Sequence, residues 1–166
     1  MKKIFLSIAL VAIAFVQNTF AQAAPTSPEV IAQQTQLSLL LISYYDIKDA
    51  LVASKASTAS VNAADFVKHL NEIDSKTIPQ ANSNALLKEA TKISEAKDLK
   101  HQREHFDNFS ENMFELAKTV KLTSDLVYQA YCPMKKASWL SNSKAIKNPY
   151  YGNVMLTCGS ITETLQ

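Results

Sequence analysis

Glycine does not occur before position 152, and between Pro28 and Pro149 the only prolines are Pro79 and Pro133. A stretch so nearly free of the two residues that punctuate regular backbone favours helices. The apolar positions place four of them. The first is expected over about 28–54, with Pro28 tolerated in the first turn. Its centre, Leu37 to Tyr45, is apolar nearly all round, the pattern of a deeply buried helix. The second is expected over about 60–74, capped by Ser60, with Phe66, Val67 and Leu70 inward; Ile78-Pro79-Gln80 closes that unit. The third covers about 82–96. The fourth, from Asp98 to about Leu122, has the cleanest pattern: Leu99, Phe106, Phe109, Met113, Leu116, Ala117 and Val120 fall on one stripe at helical spacing, and Asp98 can cap its start. Short connections imply antiparallel neighbours, so the fold class is mainly α, an up-down four-helix bundle. The apolar stripes are expected to pack on one another without the residues that follow.

After Leu122 the character changes. Leu126 to Tyr131 leans toward strand. A loop-rich segment with Trp139-Leu140 follows, then an Asn-Pro-Tyr-Tyr-Gly turn at 148–152, then a short end from Met155 to Leu165. Residues 24–166 are read as one domain, helices over 28–122 and a short β/loop C-terminal segment over 123–166 packed on the bundle. Roughly 145 residues can bury a core without covalent staples.

The first 23 residues read as a secretory signal. Lys2 and Lys3 precede an apolar run, Ile4 to Val16, broken only by Ser7, and Thr19-Phe20-Ala21 and Ala21-Gln22-Ala23 are small-x-small cleavage sites. That run is too short to span a bilayer, so the chain is expected to be periplasmic or secreted, with no membrane span after cleavage. Loss of Lys2 and Lys3 turns the net charge of +2 into zero, which gives no electrostatic case for nucleic acid. From Leu126 onward Lys135, Lys136, Lys144 and Lys147 stand against Glu163 alone, charges that are read as solvated surface.

Chemistry concentrates in the same C-terminal segment, which holds both cysteines, the two glycines, the single tryptophan and two of the four methionines. Met134 lies two residues after Cys132, and Met155 three residues before Cys158. Thiolate and thioether sulfur are soft donors that suit Cu(I) above all, with Ag(I) and Zn(II) as alternatives. No C-x-x-C motif exists, and in an exported chain the simplest use of two cysteines is a disulfide. The paired methionines argue instead for an S4 shell of Cys132, Met134, Met155 and Cys158, although packing is the usual work of methionine. His105 projects to the edge of the fourth helix's stripe, where a docked tail could meet it as a further ligand; His101, one turn earlier, is read as solvated, and His69 as without a role. The chain has no phosphate-binding glycine loop, no G-x-S-x-G elbow and no haem-attachment motif. The expectation is a metal-binding module rather than an enzyme.

The run His105-Phe106 with Ser110-Glu111-Asn112-Met113, then Tyr131-Cys132-Pro133-Met134, Trp139-Leu140, Ile146-Lys147-Asn148-Pro149-Tyr150-Tyr151-Gly152 and Met155-Leu156-Thr157-Cys158-Gly159, resembles a bacterial domain-of-unknown-function family. Its members occur as small secreted proteins and as C-terminal appendages of periplasmic adaptor subunits in efflux pumps of the copper/silver kind. The resemblance covers the chain from about residue 30 onward. It implies periplasmic heavy-metal handling, copper first, with an efflux component as partner. The rival expectation is a structural or interaction domain whose Cys132–Cys158 disulfide pins the tail to the bundle and which binds no metal.

Overall fold

A computed structural model describes residues 27–166; the signal sequence read over 1–23 lies outside the described residues. Four helices, α1 (Pro28–Val52), α2 (Ala56–Glu72), α3 (Gln80–Glu95) and α4 (Leu99–Thr119), are followed by strands β1 (Val127–Cys132), β2 (Ala137–Ser141) and β3 (Ser160–Leu165), with one 3-10 turn at Gly152–Val154. None of the described helices is long and apolar enough to cross a membrane.

Ser27 caps α1, its Oγ accepting from Val30 N, and Pro28 occupies the first turn. The helix ends without a glycine. Ser54 takes the left-handed conformation instead, at φ 55°, while Lys55 N donates to Ala50 O and Ser54 N to Leu51 O. This closes the orphan carbonyls in a Schellman arrangement. The apolar centre of α1 buries Leu37, Leu40, Leu41, Tyr44, Ile47 and Leu51. Leu39 and Ile42 on its outer side remain 42% and 51% exposed, so the all-round apolar pattern covers only part of the circumference.

α2 starts four residues earlier than its sequence suggests, and Ser60 is not its cap. Ser60 sits inside the helix, its Oγ donating to Ala96 O at 3.1 Å. The wholly buried Gln102 explains the early start: its Nε2 donates to Ala56 O, Ser60 Oγ and Ala96 O, tying the beginning of α2 and the end of α3 to α4. Asp98 does cap α4, accepting from His101 N at 3.1 Å. Each helix packs mainly on the next in sequence.

Strand β1 lies between β2 and β3 and runs antiparallel to both. The Trp139-Leu140 segment, expected as loop, is strand β2: Ser138 pairs with Tyr131, Trp139 with Ala130 and Leu140 with Gln129. The reason is burial, since Trp139 and Leu140 are packed against α4 and are essentially inaccessible. One aromatic cluster joins the two parts of the chain. Phe66 meets Phe109, Phe109 and Phe106 meet Tyr44, Phe106 meets Tyr150, and Tyr150 meets Trp139, with ring centroids 4.8–6.1 Å apart. Inside it Leu140 N donates to Tyr44 Oη at 2.9 Å, and the same hydroxyl is hydrogen-bonded to Ser110 Oγ. The tail therefore contributes Val127, Ala130, Trp139, Leu140 and Tyr150 to the same core as the helices.

Candidate metal centre

Cys132 is the last residue of β1. The turn Pro133 to Lys136 brings the chain round to β2, with Lys136 in the left-handed region and its N–H donating back to Cys132 O at 2.8 Å. In this turn the backbone N–H groups of Met134 and Lys135 converge on the Cys132 sulfur.

The second wall is the Asn148 to Gly159 loop, organised by Asn148, which has no exposed surface. Its Oδ1 accepts from Tyr150 N at 2.8 Å and Tyr151 N at 3.3 Å, its N–H donates to Leu156 O at 2.8 Å, and its Nδ2 donates to Cys158 O at 2.8 Å. The loop is fastened to the helices by Arg103, whose Nε donates to Pro149 O and whose Nη2 donates to Leu51 O and Ser54 Oγ. At Gly152, φ +55°, an added Cβ would stand 2.7 Å from Ser54 Oγ and 2.9 Å from Arg103 Nη2. At Gly159 it would stand 2.8 Å from the Trp139 ring and 2.9 Å from Tyr131 O. Both glycines allow the loop to lie flush against its neighbours.

These two walls bring Cys132 and Cys158, 26 residues apart, to an Sγ–Sγ separation of 3.5 Å as free thiols. Cys132 is buried and Cys158 partly exposed. Burial pushes the Cys132 thiol up. Donors facing its sulfur oppose this: the Lys135 N–H, the Cys158 thiol, the Asn148 side chain and the Met134 N–H together bring it below the ordinary thiol value. Cys158 moves the other way, held up first by its hydrogen bond to Cys132, then by burial and by the neighbouring charge. Of the pair, Cys132 is thus the thiol that ionises more readily.

Of the other sulfur donors, Met134 has its backbone N–H directed at both cysteine sulfurs, and the residue is 64% exposed. Met155 is partly buried, and its carbonyl accepts from Cys158 N at 3.1 Å. Met113 is a wholly buried core residue of α4. His105 is engaged elsewhere: its Nδ1 lies 3.0 Å from Glu89 Oε2 on α3. Residues of α4 that meet the C-terminal segment include Arg103, Phe106, Asp107 (ion-paired with Lys135 at 3.4 Å) and Ser110. Two residues along a helix is about 200° of rotation, so His105 and Asp107 face nearly opposite ways. His101 is exposed beside Asp98, and His69 Nδ1 lies 2.6 Å from Ser43 Oγ. Among the described residues no three of His, Cys, Asp and Glu gather as a metal site. Sequence reasoning missed Asn148 and Arg103. Their weight comes from burial and from partners far along the chain, and the only local signal was the Asn-Pro turn.

A family model whose description is Protein of unknown function (DUF3347) matches residues 40–125, just over half of the 166 residues, from within α1 to the link before β1. No curated protein and no solved structure matches the chain. Because that match covers more than half of the chain, from the second half of α1 through all of α2, α3 and α4, the chain belongs to the DUF3347 family of proteins of unknown function.

Proposed function

We propose that this is an exported, periplasmic soft-metal-binding protein that takes up Cu(I), or Ag(I), through Cys132 and Cys158, with Met134 and Met155 as auxiliary thioether donors. The observation that carries the reading is the 3.5 Å approach of the two thiols under backbone and carboxamide N–H donors. Two thiolates on one tetrahedral ion with bonds of about 2.3 Å sit about 3.8 Å apart, so little movement would seat an ion between them. Thiolate with thioether favours a monovalent soft ion over Zn(II). The orientation of His105 toward Glu89 further favours an all-sulfur set. The scaffold is read as an up-down four-helix bundle, supported by short links and by the packing of each helix on its successor. The resemblance to appendages of efflux adaptors, together with the signal-like residues 1–23, supports handling of the ion beside an efflux component in the periplasm.

Titration of the reduced mature protein with Cu(I) against a competing chelator tests this. One ion per chain is expected, lost in a Cys132→Ser/Cys158→Ser variant; equal binding by wild type and variant would sink it.

A second reading is favoured by the same distance: two thiols this close need only a small approach to form a structural disulfide. Closing that loop would stabilise the protein by about 3–4 kcal/mol in the chain-entropy model. Under this reading the oxidised protein has no free thiols and reduction lowers its stability whether or not copper is present. Under the metal reading reduction costs little, and Cu(I) raises Tm by mass action.

A further inference from the structure

Granting the soft-metal reading above, the geometry points to an exchange site rather than a closed store: Cys132 and Cys158 hold one side of the ion, the exposed Met134 thioether covers the other, and an incoming soft sulfur donor displaces Met134 to draw the ion away. Two sulfurs 3.5 Å apart subtend about 100° at an ion roughly 2.3 Å from each. A linear bis-thiolate complex would require a separation of about 4.6 Å on the same bond length. The pair therefore grips the ion from one side and leaves more than half of its coordination sphere uncommitted.

The Cys158 end of the pair is the one that reaches solvent. Cys132 is buried against the core, whereas Cys158 is partly exposed. Among the described residues no His, Asp or Glu gathers with the thiols to close the shell. Of the two thioether residues proposed above, Met134 is 64% exposed and Met155 is partly buried, so Met134 is the one that an incoming donor can reach and displace. A thioether on an unpacked side chain is a neutral, weakly held ligand that can swing on and off without disturbing the core. In the exchange step a bond forms from the incoming sulfur to the ion and the Met134 sulfur–ion bond breaks. The two thiolate bonds follow in turn, with no change of oxidation state. This is associative exchange, in which the acceptor must reach the ion before the protein lets go.

The test uses the mature protein loaded with Ag(I), thiosulfate as the soft acceptor, and decay of the silver–thiolate absorbance in a stopped-flow instrument. Release should be proportional to thiosulfate, about doubling when the acceptor doubles, as a bimolecular step requires. Met134→Leu keeps the volume and removes the thioether. It should raise the slope several-fold, because the third position is then already open. A release rate independent of thiosulfate, or an unchanged slope in Met134→Leu, would overturn the exchange site while leaving metal binding intact. Failure of the wild type to take up Ag(I) at equilibrium would instead remove the metal reading and this inference with it.

Discussion

The carboxamide of Asn148 donates to the main-chain carbonyl of Cys158 at 2.8 Å, and so one buried side chain fixes the backbone that carries one of the two thiols. The same side chain accepts from Tyr150 N and Tyr151 N and faces the Cys132 sulfur. Asn148→Ala leaves two N–H groups and a carbonyl without partners in a buried loop. At about 1–3 kcal/mol for each buried group left unsatisfied, offset by whatever water enters, a net loss of about 3 kcal/mol is expected in urea unfolding. Asn148→Asp keeps the acceptor but sets a buried carboxylate oxygen against the Cys158 carbonyl, so at neutral pH it should lose at least as much. A clearly smaller loss in Asn148→Asp would show that the donor arm matters little.

Tyr44 is the hinge between helices and tail. Tyr44→Phe keeps the ring stack on Phe106 and removes the hydroxyl that Leu140 N and Ser110 Oγ share. The expected cost is about 1–3 kcal/mol, measured as a lower urea midpoint at unchanged slope, because the extent of burial is the same. Helical circular dichroism and Trp139 fluorescence should report one coincident transition; separate transitions would mean that the tail folds independently.

Gly152→Ala places a methyl group in a left-handed residue against Ser54 Oγ, Arg103 Nη2 and Val52 O, at 2.7, 2.9 and 3.0 Å. Backbone strain and overpacking add, so a loss of roughly 2 kcal/mol or more is expected. A neutral outcome in thermal unfolding would show that the Arg103 contacts give way freely.

The cap of α4 supplies a pH dependence. The side-chain hydrogen bond from His101, followed by the His101 backbone N–H, holds the Asp98 carboxyl below its ordinary value. A depressed folded-state value means the stabilisation is present above the unfolded carboxylate pKa of about 3.9 and is lost as pH falls through the lower folded value. Asp98→Asn keeps an acceptor for the His101 N–H and carries no charge. The stability difference between wild type and this variant should therefore shrink in acid, and a difference that is flat between pH 6 and pH 2 would contradict the assignment.

The helices were legible because their signal is local: the α4 stripe contains Phe106, Phe109, Met113 and Leu116, all fully buried, and Asp98 caps where its position suggested. The start of α2 was not legible. Ser60 has the chemistry of a cap, but the residue that settles the boundary is Gln102, 46 positions beyond Ala56. Strand β2 was hidden because Trp139 and Leu140 sit side by side without an alternating pattern, and their burial is decided by Tyr150 and α4. The clustering of Cys132 and Cys158 was visible as composition; their convergence depends on Asn148. For His105, helical projection gives the angle from its own stripe but not the identity of the neighbour, and that neighbour is Glu89 on α3.

Tyr44 and Leu140 are 96 residues apart, and that span sets an order of events during synthesis. α1 to α4 are made first, with the Tyr44, Phe106 and Phe109 rings displayed along a seam that nothing yet covers. Closing it waits for residues 137–150, and contacts of such long range are slow to form and leave apolar surface open to association meanwhile. The nascent chain is thus most vulnerable to aggregation in the interval after its helices exist and before its tail arrives.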